Sequence, residues 1–197
     1  MRMSTSNAEM MHLEEIAQRS RYSEGLHLYS TAYVYQILKR FMKGGKVLEV
    51  GPAEGELTKY IINDCEQLTV VDGAKLFCDR LRALYPQANV IHSLIEDYHT
   101  SDKYDVVILR NILEHVNSPA QVVSHIKGWL NSQVFVFAVV PNARSLHRQA
   151  AVLMGLLPSE DALNEMDQYH GHRRVFSPES FRAVFIQNGY RIKVFGG

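Results

Sequence analysis

The sequence predicts an α/β fold built on a doubly wound, mostly parallel sheet, and three observations carry that reading. Short β-branched runs alternate with helical patterns along the chain, several runs are almost uninterruptedly apolar, and serine–proline pairs mark helix starts between them. A strand that is apolar on both faces suits a sheet covered on both sides. Strand and helix in alternation imply right-handed crossovers between parallel strands.

Residues 1–43 read as one or two helices, the clearer carrying Val34, Ile37, Leu38 and Phe41 on one face, and are expected to form an N-terminal helical cap. Residues 44–197 then form the main domain. Strands are predicted over Lys46–Val50, Leu68–Asp72, Asn89–His92, Tyr104–Leu109, Gln133–Val140 and Tyr190–Phe195. Between them lie helical stripes: Leu57, Tyr60 and Ile61; Phe77, Leu81 and Leu84; Val122, Ile126, Trp129 and Leu130; Phe181, Val184 and Phe185. Ser118-Pro119 and Ser177-Pro178 each set a capping hydroxyl before a proline at the first helical position, where the missing N–H costs nothing. Gly189 is a natural left-handed stop. The segment 141–175, after the fifth strand, far exceeds a usual connection of ~2–6 residues. It carries a helix around Ser145–Leu157 and is expected to form the substrate wall.

At 197 residues the chain suits one domain with small additions. Its 21 basic and 21 acidic side chains cancel, so no global field draws in a phosphate polymer, and nucleic acid is not an expected partner. No apolar run approaches the ~20 residues of a membrane span. The opening residues MRMSTSNAEMMH lack the apolar stretch of a secretory signal, and Cys65 and Cys78 have no metal-type spacing. These features point to a cytoplasmic protein away from membranes, and leave open whether it is a monomer or homodimer.

In an open α/β sheet, ligands settle at the carboxyl ends of the strands near the switch point. The first strand runs Lys46-Val-Leu-Glu-Val-Gly-Pro-Ala-Glu-Gly55, so that Glu49 lies in the strand and Gly51, Ala53 and Gly55 make the turn into a helix from about Glu54. A dinucleotide fingerprint wants a third glycine where Glu56 stands. Glu49 and Glu56 would repel a pyrophosphate and favour a ligand bearing an ammonium and a sulfonium. At the end of the second strand, Asp72 can accept both hydroxyls of a ribose, which leaves NAD open as a rival on that residue alone.

With these motifs the chain resembles the class I methyltransferases that use S-adenosylmethionine (SAM), particularly the branch acting on small molecules and natural products. The resemblance spans about residues 46–192. It rests on Val47-Leu-Glu-Val-Gly-Pro-Ala-Glu-Gly55, Val70-Val-Asp72, Tyr104-Asp-Val-Val-Ile-Leu-Arg-Asn-Ile-Leu-Glu-His-Val116, and Ser177-Pro-Glu-Ser-Phe-Arg182 followed by Asn188-Gly-Tyr190. It implies a Rossmann-like fold and methyl transfer from SAM, leaving S-adenosylhomocysteine. By resemblance Glu49 anchors the first motif, Gly51, Ala53 and Gly55 approach the methionyl part, Asp72 and Gly73 hold the ribose, Leu94, Ile95 and Glu96 border the adenine, and Arg110 and Asn111 lie beneath the methionine. Two departures from the family pattern stand out. Ala53 replaces the usual middle glycine, which requires a negative φ there, and the final antiparallel strand after a hairpin at Gly196-Gly197 is not in this sequence.

The expected acceptor is a small metabolite, natural product or modified peptide, methylated on oxygen rather than nitrogen. His115, His172 and His170 are candidate proton acceptors, having reference pKa values of ~6.5. Arg173 and Arg174 are candidates for an acceptor's anionic group, and Tyr22, Tyr29 and Tyr33 for closing over the ligand. His170-x-His172 has no matching cysteine or carboxylate spacing, so no metal is expected. A SAM-binding regulatory subunit without catalysis, and an NAD-dependent oxidoreductase, remain open as other readings. Nucleic-acid methylation is disfavoured by Arg110-Asn-Ile-Leu standing where an Asn/Asp-Pro-Pro-Tyr/Phe signature would be.

Overall fold

The computed structural model describes residues 5–20 and 26–196. Tyr22, Gly197 and the first residues of the expected cap lie outside them. The chain divides into two compact units, one running to Arg110 and adding Trp129–Ala138, the other made of Asn111–Gly128 and the residues from Val139 onward.

The first unit carries helices α1 (Thr5–Gln18), α2 (Leu26–Lys39), α3 (Thr58–Ile61) and α4 (Lys75–Leu84), and strands β1 (Lys46–Val50), β2 (Gln67–Asp72), β3 (Asn89–His92), β4 (Tyr104–Arg110) and β5 (Leu130–Val139). The sheet order is β3-β2-β1-β4-β5, with β1 parallel to β2 and β4, and β2 parallel to β3. This is the doubly wound, Rossmann-like order, and its switch point falls between β1 and β4. The apolar runs supply the core: Val47, Leu48, Val70, Val106 and Ile108 are buried in the sheet, with Leu38, Leu57, Ile61 and Leu81 packed on it. Helix α1 sits on α4 through Ala17 and Leu13 against Ala74 and Phe77.

Several local expectations are corrected. The helix expected from Glu54 is delayed to Thr58, because Ala53 and Gly55 take positive φ angles of 52° and 82°, which a right-handed helix cannot contain. Leu84, expected on a buried stripe, is 54% exposed at the end of α4. Trp129 and Leu130 are not on a helix face: the chain leaves its helix at Gly128, and the buried Trp129 ring sets its edge against Tyr98 at 5.1 Å. As the edge of the sheet, β5 leaves Val134–Val140 only half-buried, although the sequence reads as a covered strand.

The second unit carries α5 (Pro119–Lys127), α6 (Leu146–Leu153), α7 (Glu165–Tyr169) and α8 (Pro178–Gln187). Their starts are local in origin. Ser118 accepts from the Gln121 amide, while Asn164 and Ser177 form reciprocal capping boxes with Asp167 and Ser180. Helix α8 stops as expected, with Gly189 at φ 74°. No strand forms over Tyr190–Phe195. A strand needs a ladder partner, and Tyr190 instead turns its ring edge-on to Phe185 and donates its hydroxyl to the Val123 carbonyl at 3.0 Å. The long insert is closed by a parallel bridge between Asn142 and Phe176.

Candidate active site

The turn after β1 is built from left-handed residues. Gly51, Ala53 and Gly55 have φ of 60°, 52° and 82°, so the negative φ expected at Ala53 is not met. An alanine pays for this conformation more than a glycine would, and the loop keeps it through the Ala53 amide, which donates to Asp72 Oδ2 at 3.2 Å. Asp72 Oδ1 accepts from the Ala74 amide at 2.8 Å, so one carboxylate at the end of β2 ties together the two βα turns. At Gly55 an added Cβ would stand 2.7 Å from Leu81 Cδ2, and at Gly73 it would stand 2.5 Å from Leu13 Cδ1. Both glycines let backbone and neighbouring side chains approach more closely than a substituted residue allows.

Glu49 is buried in mid-strand and accepts from the Thr58 hydroxyl at 2.7 Å. Burial pushes its pKa up to about 7, against the opposing pull of Thr58 and the Arg110 guanidinium. Burial likewise pushes Asp72 up to about 6, against its two amide donors. Glu54 is also buried, and among the described residues its Oε2 finds no hydrogen-bond partner. Glu56, by contrast, pairs with Lys59 and adds little net charge. Three carboxyl groups around one turn, each needing compensation for its burial, suit a ligand that is cationic and rich in hydroxyl donors. Leu94 and Ile95 are buried and apolar, Glu96 is half-buried, and Arg110 donates to Thr31 on α2 at 2.8 Å. Tyr29 and Tyr33 are 77% and 69% exposed on α2.

In the second unit, Asn111 takes φ 52°, a conformation that asparagine tolerates, and donates its amide to the Val139 carbonyl at 2.8 Å. His115 and His172 meet ring edge to ring face at 4.8 Å between centroids. Each ring is engaged at Nδ1: His115 donates to the Gly171 carbonyl at 3.3 Å, and His172 donates to Asp167 Oδ1 at 3.1 Å. Asp167 is held from its other side by the buried Arg148 at 3.0 Å. Burial, aided by the charges of His172, His170 and Arg173, pushes the His115 pKa down to about 4. Burial also lowers His172, against the pull of Asp167. His170 stands at the end of α7, its ring 6.2 Å from that of His172. Arg173 is exposed and Arg174 half-buried; Arg173 donates to the His115 carbonyl at 2.6 Å, and Arg174 donates to those of Leu113, Val116 and Asn117. These bonds brace residues 113–117, because a largely buried turn needs donors for its carbonyls.

The sequence profile described as "Methyltransferase domain" matches residues 18–193. The chain belongs to the methyltransferase-domain family. A search of curated proteins finds no match. Among solved structures, this methyltransferase is similar to the plantazolicin methyltransferase BpumL in complex with a monoazolic desmethylPZN analogue and S-adenosylhomocysteine, at 16% identity and TM-score 0.60, over 92% of this chain and 67% of that one. The DhpI–SAM–HEP complex aligns at 15% identity and TM-score 0.69, over 95% of this chain and 91% of that one. A SAM-dependent methyltransferase from Archaeoglobus fulgidus aligns at 18% identity and TM-score 0.62, over 83% and 68%. At these identities the likeness is one of fold, that of the class I methyltransferases.

Of the residues the sequence singled out in this methyltransferase, Glu49, Gly51, Ala53, Gly55, Asp72, Gly73, Leu94, Ile95, Glu96 and Arg110 fall in the first unit, and Asn111, His115, His170, His172, Arg173 and Arg174 in the second. Sequence reasoning missed Thr31, Thr58, Glu114, Arg148 and Asp167. Only Asp167 left a signal, the Asn164-x-x-Asp167 capping pattern. No helix among the described residues is long and apolar enough to cross a membrane.

Proposed function

We propose that this enzyme transfers the methyl group of SAM to an oxygen, rather than a nitrogen, of a small natural product or modified peptide. The observation that carries the cofactor part of the reading is the pair Glu49 and Asp72, two buried carboxyl groups on the adjacent strands β1 and β2, both with pKa values raised by burial, whereas the choice of oxygen follows only the resemblance to small-molecule methyltransferases. A cationic ligand relieves that burial, whereas a dinucleotide pyrophosphate aggravates it. When bound, SAM supplies a sulfonium-activated methyl group that moves by in-line displacement to the acceptor's lone pair.

The chain's own residues then have assigned tasks. Asp72 accepts from the ribose hydroxyls, with Gly73 giving room beside it. Gly51, Ala53 and Gly55 admit the methionyl part, towards which Glu49, Arg110 and Asn111 act. Leu94, Ile95 and Glu96 border the base. Helices α1 and α2, with Tyr29 and Tyr33, serve as a cap, and the 141–175 segment serves as the acceptor wall. His115 and His172 act on the acceptor side, where each ring offers one lone pair, at Nε2, and His170 stands beside them. Positioning of donor and acceptor can supply up to ~7–11 kcal/mol of the barrier in favourable systems.

The neighbour that handles plantazolicin intermediates guides the choice of acceptors to test. The enzyme is incubated with labelled SAM and a panel containing desmethylPZN analogues, hydroxylated and carboxylated small molecules, and amines. Binding of S-adenosylhomocysteine and NADH is compared by thermal shift. Stabilisation by S-adenosylhomocysteine with label passing to an oxygen acceptor is expected; stabilisation by NADH alone overturns the reading.

A further inference from the structure

We infer that Glu114, His115 and His172 form a binding site for a divalent first-row transition-metal ion, with zinc the leading candidate. One donor atom from each of the three residues lies within 4.8 Å of the other two. Two imidazoles and a carboxylate form a donor set that suits zinc, whereas magnesium and calcium prefer oxygen ligands throughout.

The hydrogen bonds around the rings decide which nitrogen can ligate. The Gly171 carbonyl and the Asp167 carboxylate are acceptors only, so each Nδ1 must carry its hydrogen and donate. In the neutral ring, Nε2 then holds the lone pair. A ligating histidine whose second nitrogen donates to a carboxylate or a backbone carbonyl is the usual outer arrangement of a metal site, because it fixes both tautomer and ring plane. Asp167 is fixed in turn by the Arg148 guanidinium at 3.0 Å and the Asn164 amide at 3.0 Å.

The backbone that presents the group is also fixed. Glu114 and His115 are consecutive in a turn whose carbonyls accept from Arg173 and Arg174, and the Arg173 amide donates to the Glu114 carbonyl at 2.9 Å. Glu114 is fully buried, a position that a carboxylate occupies at heavy cost without positive charge beside it. Arg174 supplies part of that charge. Bonds of ~2.1 Å in a tetrahedral site put donor atoms about 3.4 Å apart. Closure by up to about 1.4 Å is therefore needed on binding. The two nearby arginines oppose a cation, so the ion is expected to bind more weakly than in a closed four-ligand site and to exchange with chelators.

Three protein ligands leave a coordination position open. On the methyl-transfer reading given above, that position would hold an acceptor hydroxyl and lower its pKa, its proton passing to solvent water, and His115 and His172 would then serve as ligands rather than as bases. Binding of the ion itself does not depend on that reading.

The test uses the full chain without a histidine tag. Cobalt(II) is titrated while its visible absorption is followed, zinc is titrated by calorimetry, and S-adenosylhomocysteine binding is measured in parallel. Ligand-field bands without a thiolate charge-transfer band are expected, with binding weakened at least tenfold in both Glu114→Gln and His172→Ala. Glu114 is wholly buried, so folding of each variant is checked by circular dichroism, and His172→Ala stands alone if Glu114→Gln unfolds. No binding by the unaltered chain, a thiolate band placing the ion on Cys65 or Cys78, or unchanged affinity in a folded His172→Ala protein overturns the proposal. Retained S-adenosylhomocysteine binding in any of these cases leaves the methyl-transfer reading intact.

Discussion

Thr58 donates its hydroxyl to the buried Glu49 carboxyl at 2.7 Å, joining the first strand to the helix that follows it. The burial that this bond offsets raises the Glu49 pKa from 4.5 to about 7. Between those two values the native state holds more proton than the unfolded chain. Stability of the ligand-free protein therefore falls as pH rises through that window and levels off above it. For Glu49 the expected loss is ~3 kcal/mol, following the 1.36 kcal/mol that accompanies each pKa unit. Urea unfolding at pH 5 and pH 8 should show this drop in the parent protein and a smaller one in Glu49→Gln. Equal drops in both would remove Glu49 as the source.

The same raised pKa makes cofactor binding proton-linked. A cationic ligand favours the ionised carboxyl, so SAM should displace a proton from Glu49 near pH 7. Calorimetry in buffers of different ionisation enthalpy counts that proton. Release is expected, and uptake would contradict the electrostatic basis of the site.

Asp72 serves two backbone amides and, in the proposed function, a ribose. Asp72→Asn keeps the shape and one acceptor oxygen but loses the charge, so S-adenosylhomocysteine affinity should fall by about 10- to 100-fold, the usual range for a charge-assisted hydrogen bond. Unchanged affinity would rule out the ribose role.

Two left-handed residues in one turn should respond unequally to substitution. Gly55→Ala adds a Cβ 2.7 Å from Leu81 Cδ2 at φ 82°, and a loss of ~1–3 kcal/mol is expected from overpacking and backbone strain together. Ala53→Gly relieves strain of ~1–2 kcal/mol but gives up a partly buried methyl group and adds unfolded-state entropy, so it should be neutral to within ~1 kcal/mol. Denaturant midpoints measured at one pH separate the two.

What the sequence made legible was whatever is decided within a few residues. Ser118, Ser177 and Gly189 announce helix ends because capping is local, and Glu49 and Asp72 announce the ligand end of the sheet because strand and turn are contiguous in sequence. The sign of φ at Ala53 was not legible, since the Asp72 carboxylate that holds the Ala53 amide comes from the next strand. The grouping of Glu114, His115 and His172 was hidden for the same reason: the carboxylate missing beside His170-x-His172 stands 58 positions earlier than His172, brought in by the fold. Residues Tyr190–Phe195 carry a strand's composition, yet composition cannot supply a ladder partner.

Arg148 and Asp167 form the pair on which the histidine arrangement depends most heavily. The guanidinium is 3% exposed and donates to Asp167, to the Glu160 carbonyl at 2.6 Å and to the Ala162 carbonyl, so it satisfies three acceptors that water cannot reach freely. Arg148→Met keeps much of the volume but strands the carboxylate, and ~3–5 kcal/mol of stability should be lost, the cost typical of breaking a buried ion pair from one side. Arg148→Lys retains the charge without the planar fork and should fall between the parent and Arg148→Met. Asp167→Asn, which removes the charge but keeps acceptor capacity for Asn164 and Arg148, should cost less than Arg148→Met. If urea unfolding finds Arg148→Met within 1 kcal/mol of the parent, the carboxylate does not need this partner, and His172 must take its orientation from elsewhere.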